Sequence, residues 1–100
     1  MQQIESEKSV ERKLVEITKL NGGMCIKLLS FHLIGLPDRL CIFPKAKLVF
    51  IETKTTKQKA RPVQIYMHNK IRKMGFRVEV IDTVDKVIDI IEDVIINERK

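Results

Sequence analysis

Apolar residues along this chain follow helical and strand rhythms in turn, with glycine and proline between them. Val10, Leu14 and Ile17 recur at helical spacing, and Gly22-Gly23 closes the run, which predicts a helix over 6–20. Residues 24–30 are apolar with Lys27 in the middle and read as a strand. Gly35 and Pro37 mark a turn over 31–38. Residues 39–43 and 47–54 read as two strands joined at Pro44, a hairpin, and 55–61 as a polar, basic loop. Pro62 suits the first turn of a helix, whose apolar face is Val63, Met67, Ile71 and Met74 and whose end is Gly75. A strand over 76–81 follows. Thr83 then caps a last helix with the stripe Val84, Val87, Ile88, Ile91, Val94 and Ile95. The predicted order is αβββαβα in an α/β fold, a mixed sheet flanked by helices, over residues 1–100 as a single domain.

Charge changes this picture. The net +6 is unevenly spread: residues 45–80 hold ten Lys and Arg against only Glu52 and Glu79. A basic middle points to a cationic face and a polyanionic partner; a solvated lysine-rich surface is the plainer alternative. No apolar run reaches the roughly 18 residues of a membrane span. The charged start, MQQIESEKSVERK, lacks the apolar centre of a secretory signal. Cys25 and Cys41 have no zinc-type spacing and read as reduced thiols. A cytoplasmic protein is expected.

The candidate chemistry lies in Pro37-Asp38 and in Glu52-Thr53-Lys54, followed by Gln64. Strand side chains alternate, so Phe50, Glu52 and Lys54 share one face, while Val49, Ile51 and Thr53 take the other. If 39–43 and 47–54 pair as a hairpin, the start of the first strand lies beside the end of the second, and Asp38 lands near Glu52 and Lys54. Two adjacent carboxylates repel and attract a cation between them. Their hard oxygens suit Mg²⁺ or Mn²⁺, which acidifies a water and neutralises charge on a phosphate. Lys54 then either orients the attacking water or stabilises the transition state. A lone Glu-x-Lys is short and common and reads more readily as an exposed ion pair at a strand end. Pro-Asp at hairpin spacing tips the balance to phosphodiester hydrolysis.

These residues also carry a family resemblance. The run Gly35-Leu36-Pro37-Asp38-Arg39, the strand Phe50-Ile51-Glu52-Thr53-Lys54, Arg61-Pro62-x-Gln64, Gly75-Phe76-Arg77-Val78 and Asp82-Thr83 follow one another in an order that resembles the VRR-NUC domain. This is a branch of the PD-(D/E)XK nuclease superfamily, with small stand-alone phage and bacterial members. The resemblance spans residues 7–92. It implies a metal-dependent endonuclease acting on branched DNA such as Holliday junctions, working as a homodimer. It further implies Asp38, Glu52 and the Thr53 carbonyl as metal ligands, Lys54 as the catalytic lysine, and Gln64 and Glu11 as accessory site residues. Glu7, one turn before Glu11, also borders its helix's apolar face. One departure stands out: the segment from Ser30 through Phe31, His32, Leu33 and Ile34 is bulkier than the small, polar run usual there, which leaves substrate preference open.

Other residues divide less sharply. Lys27 either faces solvent at a sheet edge or reaches the site. Lys57, Lys59 and Arg61, with Lys27 and Arg39, form the expected DNA contacts, to phosphate rather than bases. Lys70, Arg72, Lys73 and Arg77 can extend that surface. Tyr66 is the expected surface aromatic of the basic half, so shape and phosphate recognition fit better than base stacking. His32 and His68 read as surface residues rather than ligands. Ile65 and Ile96 fall off their stripes and are candidates for a dimer seam. Two readings remain beside the nuclease: a basic DNA-binding module without turnover, and a nuclease subunit that takes its substrate choice from a partner.

Overall fold

A computed structural model describes residues 6–29, 31–55 and 58–97. Helix α1 runs Glu7–Leu20, and Ser6 caps it by accepting the Ser9 amide. Strand β1 (Met24–Lys27), β2 (Arg39–Phe43) and β3 (Lys47–Thr53) form an antiparallel meander. The β2–β3 turn takes positive φ at Lys45 and Ala46, the handedness a tight hairpin needs. Helix α2 (Pro62–Lys73) then crosses over to β4 (Val78–Ile81), which pairs parallel to β3. Helix α3 (Val84–Ile96) follows, capped by Thr83 with Asp85 in its first turn. The sheet order is β1-β2-β3-β4, so the expected αβββαβα arrangement holds.

The core lies on one face of the sheet. Val10 and Leu14 of α1 and Val87, Ile91 and Val94 of α3 close over Cys41, Phe43, Val49, Ile51 and Ile81. Cys25 and Cys41 face each other across β1 and β2, with Sγ atoms 3.6 Å apart, well beyond a disulfide bond. Their spacing in the chain does not announce that pairing.

Strand boundaries and one helix face differ from the sequence pattern. β1 ends at Lys27, and Ser30, in the expected strand, lies outside the described residues. β4 starts at Val78, because Phe76 leaves the sheet line and sets its ring edge-on to Phe50 at 6.2 Å. The largest difference is in α2. Its buried residues are Gln64, His68 and Ile71, whereas Val63 and Met74 of the expected apolar face are exposed. The helix is rotated toward a polar partner on the sheet, which is Glu52.

Candidate active site

The hairpin register decides where the acids meet. Arg39 pairs with Ile51, so Asp38 is the next step, opposite Glu52 at the end of β3. Asp38 Oδ2 accepts from both the Thr53 amide (3.1 Å) and the Thr53 hydroxyl (3.0 Å). These two hydrogen bonds, accepted by one carboxylate oxygen from one residue, fix Asp38 against the strand that carries Glu52 and leads into Lys54.

Glu52 is 2% exposed and is the hub of the site. Its Oε2 lies 3.2 Å from Lys54 Nζ and accepts from Gln64 Nε2 at 3.0 Å. Gln64 serves two structures at once, since its Oε1 accepts the Arg61 amide at 2.9 Å and closes the first turn of α2. The other Glu52 oxygen, Oε1, lies 3.8 Å from His68 Nε2. Neither of those two atoms has a hydrogen-bond partner among the described residues. Burial pushes the Glu52 carboxyl from 4.5 up to about 7, helped by the nearby Asp38 charge and opposed by Lys54. Burial holds His68 below its ordinary value, with Arg72 and Lys54 adding to that effect.

His68 was expected on the surface and is instead 1% exposed. It sits one turn after Gln64 and one before Ile71, so all three share a face. That spacing was the available signal. Hydrophobic periodicity does not register it, because two of the three residues are polar.

The remaining candidates are more dispersed. Glu11 accepts from Arg39 Nε at 3.1 Å, and the Arg39 side chain is 15% exposed. That pair adjoins the site through the single backbone step from Arg39 to Asp38. Lys27 is exposed at the edge strand, across from Arg39. Lys59 and Arg61 are exposed in the segment leading into α2, and Lys57 lies outside the described residues. Arg72 donates to the Val78 carbonyl at 2.7 Å, and Arg77 pairs with Glu79 and Asp93, so both are engaged within the protein. Ile65 and Ile96 are exposed, as their place off the stripes requires. A cleft of about 830 Å³ lies away from the site, between the β2–β3 turn and the end of α3.

The chain is similar to a solved VRR_NUC domain, with a TM-score of 0.81 and 30% identity over 88% of this chain and 97% of that one. It is also 35% identical over 79 residues, 79% of its length and 85% of the relative's, to the p44 protein of Acyrthosiphon pisum secondary endosymbiont phage 1, whose name assigns it provisionally to the nucleases. The chain belongs to the VRR-NUC nuclease family. No family model matches the sequence. The VRR-NUC fold accounts for the four-stranded mixed sheet with three helices among the described residues.

The donor set can be tested for a divalent cation on its own chemistry. Two carboxylates sit close enough for Asp38 to raise Glu52, and a buried Glu52 oxygen has no partner among the described residues. Hard oxygens with a surplus of negative charge and an unsatisfied acceptor suit Mg²⁺ or Mn²⁺. Three or more His, Cys, Asp or Glu do not cluster among the described residues, so a cation here leans on few side chains. That fits a metal that keeps several waters and takes phosphate oxygens as further ligands.

Proposed function

We propose that this protein is a Mg²⁺-dependent DNA endonuclease, selective for branched DNA, and that it acts as a homodimer. The observation that carries the reading is the Glu52 carboxylate, buried beside Asp38 and held by Lys54 and Gln64. A domain that only binds phosphate has no physical reason to bury an acid next to its cations, because that acid repels the ligand.

Asp38 and Glu52 would hold the cation, with the Thr53 carbonyl. When bound, Mg²⁺ supplies neutralisation of charge developing on the scissile phosphate. The chain supplies the rest. Lys54 presents a positive charge at the same end of β3, oriented by Glu52 at 3.2 Å. From there it can stabilise the anionic transition state or hold the attacking water in line. Gln64 fixes the Glu52 rotamer through the 3.0 Å bond. Lys59, Arg61 and Lys27 are exposed around this end and suit backbone phosphates. Symmetric cutting of a four-way junction needs two such sites, which motivates the dimer.

The test is cleavage of a labelled four-way junction, a linear duplex and a single strand, each with Mg²⁺, Mn²⁺ or EDTA. Junction cutting that needs metal, and that falls on the order of 100- to 1,000-fold in Lys54→Ala with DNA binding kept, is expected. Binding without cutting under any metal would remove the enzyme and leave a basic binding module. Sedimentation showing a monomer, free and on DNA, would remove the dimer.

A further inference from the structure

The segment that leads into Asp38 is apolar and lies open to solvent. Phe31, Leu33 and Ile34 are 80%, 55% and 68% exposed. This loop is nonetheless held in place. Leu36 and Pro37 turn inward, and Gly35 (φ +88°) presses so closely on α2 that a Cβ there would meet the Val63 carbonyl oxygen at 2.5 Å. The next residue of α2 is Gln64, which holds Glu52. The apolar tips therefore belong to a loop that runs into Asp38 and packs, through Gly35, on the turn of α2 that carries Gln64.

Their surroundings are cationic. Lys27 is exposed where β1 runs into the loop, and Lys59 and Arg61 are exposed before α2. The sequence has no Asp or Glu over residues 17–37 or 53–78. A second copy packed loop to loop would set like charges face to face. DNA satisfies both parts of the patch: phosphates meet the cations, and unstacked bases meet the apolar tips. An intact duplex hides its base faces, whereas a branch point exposes them.

We propose that the 31–34 loop is a wedge, with Phe31 stacking on a base exposed at a branch point, so that the strand beside the branch is the one presented to Glu52 and Lys54. This deepens the proposed function and rests on it, because it accounts for branch selectivity with residues that touch no reacting atom. It also adds a stacking contact to the shape and phosphate recognition that the sequence suggests.

The experiment uses a four-way junction carrying 2-aminopurine at the branch point, in EDTA so that nothing is cut, with a matched linear duplex. Wild-type protein is expected to change the probe's fluorescence. Phe31→Ser is expected to abolish that change and to weaken junction binding about tenfold, with duplex binding and melting temperature kept. Phe31→Trp is expected to restore both. Junction preference and probe response that survive in Phe31→Ser and in the Phe31→Ser/Leu33→Ser/Ile34→Ser variant would overturn the wedge alone. Equal wild-type affinity for junction and duplex would overturn the wedge together with branch selectivity, while metal-dependent cutting lost in Lys54→Ala would still stand for the nuclease. A triple variant that splits a dimer in sedimentation without altering the probe response would overturn the wedge and assign the loop to a second copy.

Discussion

Under α1 and α3 the sheet presents Cys41, Val49, Ile51 and Ile81, all fully buried and non-ionic. Under α2 it presents Glu52, also buried, and α2 answers with Gln64 and His68, beside Ile71, while Val63 and Met74 stay exposed. Successive residues of one strand supply both faces, since Ile51 and Glu52 are neighbours. The first face gains from leaving water. The second loses hydration of an acid and recovers part of it through Lys54 and Gln64. Stability and chemistry are thus divided between two sides of the same strand, and substitutions on each side should differ in kind.

The largest expected effect is on the apolar side. Leu14 is fully buried between α1 and the sheet. Leu14→Ala should cost about 3–4 kcal/mol, through lost burial and the cavity left behind. For a domain of this size that lowers the melting temperature by roughly 10–20 °C. Cleavage per folded molecule should stay the same at low temperature. A specific activity that falls along with the melting temperature would break the division, because it would tie the core to the chemistry.

On the polar side the sign reverses. An unfolded chain releases the Glu52 proton near 4.5, and the folded one keeps it to about 7. Between those values the folded state binds more protons, so this group's contribution to stability is full below pH 4.5 and is lost as pH rises to 7. Glu52→Gln removes the titration. Without metal, the variant should match wild type near pH 4 and exceed it by up to about 3 kcal/mol at pH 8. Urea unfolding in EDTA across that range measures the gap, and parallel pH curves would show that Glu52 is not strained. Mg²⁺ should narrow the gap by stabilising only the wild type.

The apolar side was readable in the sequence almost entirely. Val10 and Leu14, the alternation through Val49 and Ile51, and the stripe Val87, Ile91 and Val94 obey the periods that hydrophobic burial imposes. The hairpin was readable too, and with it the approach of Asp38 to Glu52, because a Pro44 turn between two short strands fixes the register. The polar side was not. A template that scores apolar residues rotates α2 to bury Val63 and Met74, when the helix in fact turns Gln64 and His68 inward to a charge on another element. No local pattern announces a buried glutamate as the centre around which a helix is oriented. The bulk of the segment around Phe31 is legible in the sequence, but its exposure is not, since a loop has no period to mark which side chains face solvent.

Gln64 makes the smallest of these effects and the most discriminating one, because it belongs to both accounts. Its Oε1 closes the first turn of α2 on the Arg61 amide, and its Nε2 holds Glu52. Gln64→Ala removes the cap bond, which lowers stability by about 1 kcal/mol. It also frees Glu52 from one of its two donors on Oε2, so cleavage should fall about tenfold by loss of orientation. Gln64→Glu separates the two roles. A carboxylate at this position can still accept the Arg61 amide, so the cap survives, but it has no N–H to give to Glu52 and adds a negative charge beside it. Cleavage should therefore fall further in Gln64→Glu than in Gln64→Ala, while urea unfolding near pH 5, where Glu52 is protonated, should show the cap restored. Equal activity in the two variants would mean that Gln64 acts on the helix alone, and that the polar face is positioned by Lys54 and the strand without help from α2.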